Sequence, residues 1–173
     1  IIGGGVANEI NYSLRSSILA GQSNTITGQA NDSFIGAGTG NQIVQSDYSL
    51  IGAGEDNLVS GSYNSYSSIL NGKDNIVSGG TSITKSEFST IIGGSGNVLK
   101  GANSFAFGTN IESNEDGASV ITDGRTTQSI SKGENTLFLD FENGTHLNIP
   151  SGDANNTTSS DGVPGSIMYS GEF

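Results

Sequence analysis

From Ile1 to about Asn110 the chain repeats one phrase: Ser, a few apolar residues, Gly, two spacers, Asn, then further apolar residues. Six Asn mark it: Asn8, Asn24, Asn41, Asn57, Asn75 and Asn97, at spacings of 16, 17, 16, 18 and 22. Six residues before each stands Ile2, Ile18, Ile35, Ile51, Ile69 or Ile91. Three residues before stands Gly5, Gly21, Gly38, Gly54, Gly72 or Gly94. Two residues after stands Ile10, Ile26, Ile43, Val59, Val77 or Leu99. Ser16, Ser33, Ser49, Ser67 and Ser89 occupy the position eight before. A period this short cannot hold a helical pair, so it points to stacked β coils.

Each recurring residue type suits such a coil. β-branched Ile and Val fit a buried pleated surface and can stack from coil to coil. Gly can supply positive φ or a close backbone approach at a turn. Asn tolerates the left-handed region, can bond its own turn, and can form an amide ladder with its counterparts. The apolar clusters before and after Asn read as two short strands per coil, with coils spaced at roughly 4.8 Å. No apolar stripe of helical period survives between the Gly and Ser positions. Extra residues around Tyr63-Asn64-Ser65-Tyr66 and Thr81–Lys85 are expected to be extruded as edge loops. Tyr63, Tyr66, Ser82 and Lys85 are therefore candidate contact residues, and Tyr48 falls near the same turns. The plainer reading, ordinary turn aromatics, is preferred for the tyrosines.

Composition agrees with a thin core. Only 32% of residues are hydrophobic, Gly numbers 27, and Cys and Trp are absent. The net charge is −11; residues 1–110 carry seven acids and four bases, residues 111–173 ten and two. This balance argues against nucleic-acid partners, which require clustered Lys and Arg. No apolar run is long enough for a membrane-spanning helix. Ile1 falls inside the repeat phrase and Phe173 just after a strand-like run, so the chain reads as a fragment of something longer.

The phrase tightens at Asn103-Ser104-Phe105-Ala106-Phe107-Gly108, whose larger side chains suggest a wider end or a cap. That hexapeptide resembles the Asn-Ser-Val-Ala-Ile-Gly phrase of YadA-like head repeats in trimeric autotransporter adhesins. The Ser-x-Ile-Ile-x-Gly and Gly-x-x-Asn-x-Ile elements resemble repeats in bacteriophage and large-virus tail-fibre proteins. The resemblance covers about residues 1–125. It implies a left-handed parallel β-roll, three chains around a long axis, and attachment at a host surface. The period here exceeds that of the adhesin repeat, which favours the fibre relatives. A trimer is also expected because one thin coil buries little, and packing copies around an axis covers its second apolar cluster.

The expected organisation is all-β: a repeat shaft or head over residues 1–125, a hairpin region over 126–150, and a polar linker with the start of another strand over 151–173. In the hairpin, Leu137, Leu139 and Phe141 alternate with polar residues before Glu142-Asn143-Gly144, followed by Leu147 and Ile149. A three-residue loop pairs Leu139 with Leu147 and sets Asp140 opposite His146, the single His. A surface partnership with Asp140 is the favoured role for His146; a three-fold metal site is the rarer alternative. The Gly3-Gly4-Gly5 and Gly93–Gly96 runs lack the Lys-Ser/Thr and helix of a phosphate loop.

The sequence thus reads as non-enzymatic, with no catalytic residue, metal set or cofactor assigned. The leading expectation is a trimeric viral or phage tail-fibre segment at the virion surface. Its partners would be other fibre or baseplate proteins and a host-surface glycan or protein, without membrane insertion. The alternatives are a bacterial adhesin head and an extracellular structural filament. Ice binding is disfavoured because Thr25, Thr27 and Thr39 do not recur in register.

Overall fold

A computed structural model describes residues 1–62, 64–79, 87–123, 128–131 and 133–142. Among them there is no helix. The strands in chain order are β1 (Glu9–Asn11), β2 (Ser17–Ile18), β3 (Thr25–Thr27), β4 (Phe34–Ile35), β5 (Gln42–Val44), β6 (Leu50–Ile51), β7 (Leu58–Ser60) and β8 (Ser68–Ile69). They continue as β9 (Ile76–Ser78), β10 (Thr90–Ser95), β11 (Val98–Leu99), β12 (Phe105–Thr109), β13 (Ile111–Ser113), β14 (Ser119–Thr122), β15 (Ser129–Ile130) and β16 (Leu137–Asp140).

Odd-numbered strands form one eight-stranded sheet and even-numbered strands another. Every named pairing is parallel, and each strand pairs with its counterpart one coil away. This is a β-solenoid. Single-residue bridges add a third rank at Val6, Gln22, Thr39, Glu55, Lys73 and Ser95. The two strands per coil expected from sequence are therefore joined by a one-residue rung between Gly and Asn.

The core is two apolar columns face to face. Ile18, Ile35, Ile51, Ile69, Ile91, Ala106 and Val120 line the even sheet; Ile26, Ile43, Val59, Val77 and Leu99 line the odd sheet. All are fully buried, and each such Ile contributes on the order of 1.5–3 kcal/mol of transfer free energy. Ile2, in the first coil, stays 46% exposed.

Two polar ladders close the corners between these columns. In the first, Asn41 typifies the set: its backbone N–H and its Nδ2 both donate to Asn24 Oδ1 (3.0 and 3.1 Å). The same Nδ2 also donates to Gly54 O in the next coil (2.9 Å) and to Ala37 O in its own turn (3.1 Å). The pattern repeats from Asn8 to Asn97. It ends where Ile111 takes the position: its N–H still donates to Asn97 Oδ1 (3.1 Å), with no side chain to continue. The left-handed backbone expected of Asn belongs instead to the residue before it: Ala7, Ser23, Asp56 and Asp74 have φ of 52–56°, whereas none of the six Asn has positive φ.

The second ladder is Ser. Ser33 N–H donates to Ser16 Oγ and Ser49 N–H to Ser33 Oγ (both 3.1 Å). Ser104 N–H donates to Ser89 Oγ (3.2 Å). The hydroxyls donate onward to turn carbonyls, Ser16 to Ala30 O (2.8 Å) and Ser33 to Ser46 O (2.9 Å). Buried hydroxyls and amides are tolerable here because each meets a partner in the next coil.

The stack runs past residue 125. Ser129–Ile130 pairs with β13, and Leu137–Asp140 pairs parallel with β14. Phe138, aligned with Val120, packs against the core, while Leu137 is 66% exposed. The register is thus one residue off the Leu137/Leu139/Phe141 face expected from sequence. Asp140 accepts from Ser129 Oγ (2.6 Å). His146 and the turn and return strand of the expected hairpin lie outside the described residues, as do Tyr63, Ser82, Lys85 and the 151–173 segment.

Candidate functional site

The residue before each ladder Ser sits at a corner with left-handed backbone. Arg15, Asp32, Tyr48, Tyr66, Phe88, Asn103 and Asn135 all have φ between 54° and 59°. Side chains in this column stack one coil apart. The Tyr48 and Tyr66 rings lie 4.8 Å apart at 3°, and those of Tyr66 and Phe88 lie 5.0 Å apart at 7°. The rings are about half exposed (49%, 51% and 56%), yet their faces are turned on one another. What solvent meets is mainly ring edge, which suits a spine better than a stacking platform for a ligand.

Below Tyr48 the column continues as an ion pair, with Arg15 Nε and a second guanidinium nitrogen donating to the two Asp32 carboxylate oxygens (both 2.6 Å). This hydrogen bond holds the Asp32 carboxyl below, and the Arg15 guanidinium above, their ordinary values. Similar rungs join Lys73 to Glu55 and Lys100 to Glu112 (both 2.9 Å). They raise the Lys73 ammonium and, with help from Asn114, lower the Glu112 carboxyl. All are surface pairs, so they tune register more than stability.

The inserted Asn64 is not extruded. It is fully buried, donates through Nδ2 to Ser60 O and Val77 O (both 3.1 Å), and accepts from Ser67 Oγ (2.6 Å). Its carbonyl also accepts from Ser46 Oγ. That insertion completes a coil corner and places Tyr66 in the aromatic spine. Replacing Tyr66 by Asn keeps a residue suited to φ 59° but removes both stacks. The expected loss is about 1–3 kcal/mol, at about 0.5–1.5 per aromatic pair. Urea denaturation measures it; an unchanged midpoint would show that the stacking is incidental.

A groove of about 420 Å³ lies on the same edge, lined by Tyr12, Gly28, Gln29, Gln45, Asp47 and Ser62. It is open and predominantly polar, and it encloses no titratable group with a shifted pKa. Among the described residues no three His, Cys, Asp or Glu converge as a metal set.

The broadest unsatisfied surface is the outer side of the even sheet. Its outward pairs, coil by coil, are Ser17 and Leu19, Phe34 and Gly36, Leu50 and Gly52, Ser68 and Leu70, Thr90 and Ile92, and Phe105 and Phe107. Ser119 and Ile121, then Leu137 and Leu139, extend it. Leu19 is 57% exposed, Leu70 42% and Phe107 49%. The odd sheet also shows outward Leu58, Ile76 and Val98, but these share their face with Glu9, Gln42, Lys100 and Glu112.

The sequence reading saw the Ser positions without assigning them a bonding role. It also missed the corner column, whose signal was available one residue before each Ser. Comparison of the chain with protein-family models, curated proteins and solved structures found no match.

Proposed function

We propose that this chain is a segment of a non-enzymatic, trimeric fibrous attachment protein, a tail-fibre-like shaft carried at a virion surface. The observation that carries this reading is the row of large apolar side chains, Leu19, Leu70 and Phe107 among them, left in solvent along one flat face of a solenoid. A single chain has nothing to cover that row, and contiguous exposed apolar surface marks a contact site. Copies side by side would cover it and leave the acidic corners and groove edges outward, where a host glycan or protein can be met. The resemblance of the repeat phrases to fibre and adhesin repeats supports the same direction.

The test is sedimentation velocity, followed by binding of the labelled assembly to cells and glycans. A trimer with a high frictional ratio that adheres to a cell surface is expected. A compact monomer would overturn the reading.

A further inference from the structure

Resting on that proposal, we infer that the outer face of the even sheet is the surface through which copies of this chain meet, packed parallel and in register. Three properties of the face lead there. First, none of its sixteen outward positions is charged, in a chain of net charge −11. Identical acidic chains repel, so the one long strip free of charge is where they can approach. Its polar members are small and partly paired among themselves, as Ser68 Oγ is with Thr90 Oγ1 (3.0 Å).

Second, the strip is continuous. Eight strands at ~4.8 Å give a face roughly 35 Å long, which suits a neighbour lying alongside rather than a globular partner touching one end.

Third, bulk is metered by level. Most coils present one large outward side chain beside a small one: Leu19 with Ser17, Phe34 with Gly36, Leu70 with Ser68. The Phe34 ring leans across Gly36, its Cε1 3.5 Å from where a Cβ would stand, so the layer keeps an even thickness. The level of Phe105 and Phe107 departs, with two rings. Parallel copies in register set this thick level against itself. An antiparallel pair sets it against a thin level and leaves a void, which close-packed interfaces do not keep.

The chain has no Cys, so single-Cys spin labels report the geometry directly. Labels at Leu19 and at Leu70, near one end and near the middle of the strip, are expected to give equally short distances between copies. A label at Gln42, on the odd sheet, should give a longer one. Leu70→Glu is expected to shift the assembly to monomer with its circular dichroism intact, whereas Gln42→Glu leaves it assembled. A short distance at Leu70 but a long one at Leu19 would overturn the parallel arrangement. An assembly that survives Leu70→Glu and falls to Gln42→Glu would overturn this face while sparing the proposed trimer. A monomeric parent chain would overturn both.

Discussion

Asn57→Ala is expected to cost about 3 kcal/mol, most of it from one orphaned buried donor. Asn57 is fully buried. Its Oδ1 accepts from both the backbone N–H and the Nδ2 of Asn75 (3.1 and 3.0 Å). Its Nδ2 donates to Asn41 Oδ1 (3.0 Å) and Gly72 O (2.8 Å). After truncation the carbonyl acceptors keep other donors: Asn41 Oδ1 retains the residue 57 N–H, and Gly72 O retains Glu55 N–H. Asn75 Nδ2 still reaches Gly94 O (3.0 Å). The Asn75 backbone N–H alone is stranded, at about 1–3 kcal/mol, and the lost bonds add about 1 kcal/mol each. Asn8→Ala should cost less, because Asn8 is only partly buried and solvent can replace it.

Asn57→Asp separates ladder electrostatics from shape. One carboxylate oxygen can replace Oδ1, but the other faces two acceptors, Asn41 Oδ1 and Gly72 O. This environment favours the neutral acid and raises its folded-state pKa. The Asp variant should therefore lose stability as pH rises through that raised value and regain it in acid, relative to Asn57→Ala at each pH. Urea midpoints of both variants at several pH values measure this. A gap between them independent of pH would contradict the ladder account.

How much of this was legible beforehand depends on what a residue's type can encode. The Ile column was legible because a fully buried inward position admits little but β-branched or similar apolar side chains, and Ile18 to Ile91 keep that position without exception. The Asn ladder was legible as identity repeated at one position. Its backbone was not: Asn suggests left-handed φ by propensity, but here the preceding residue takes that conformation and frees the amide for its neighbours. The corner column escaped because its conserved quantity is backbone shape rather than side chain; Arg15, Asp32, Tyr48 and Phe88 share a φ and little else. Leu137–Asp140 was misplaced by one residue because a four-residue run offers two faces of similar hydropathy. The register is set by stacking on Ser119–Thr122, a nonlocal contact. The candidate surface was legible only as a need for cover. Which side of the coil lacked charge became visible once register assigned outward positions.

Gly54→Ala is expected to be the most damaging single-atom change, costing about 3 kcal/mol or more. Positive φ alone does not explain this. Gly40 has φ 69° in the column where Ala7, Ser23, Asp56 and Asp74 adopt 52–56°, so the chain accepts side chains in that conformation. A Cβ on Gly40 would meet chiefly the movable Asp56 carboxylate. Gly40→Ser should therefore cost no more than about 1 kcal/mol. Gly54 differs on two counts. Its φ of 113° lies well outside the left-handed well, where strain for an L-residue is of order 1–3 kcal/mol. A Cβ there would also overlap the Gly72 carbonyl oxygen of the next coil and stand 2.6 Å from Asn57 Nδ2. Neither can yield cheaply: that oxygen accepts from Glu55 N–H and Asn57 Nδ2, so moving it breaks a rung and a ladder bond together. Gly4→Ala, with nothing within 4 Å of the added carbon, is the matched control and should change stability by less than about 0.5 kcal/mol. Because a solenoid's coils interact chiefly with their neighbours, the damage should be local first. Hydrogen exchange should then show faster opening at Glu55, Asn57 and Lys73 before global unfolding. A Gly54→Ala protein as stable and as slowly exchanging as Gly4→Ala would mean that the coils can separate at this corner without cost.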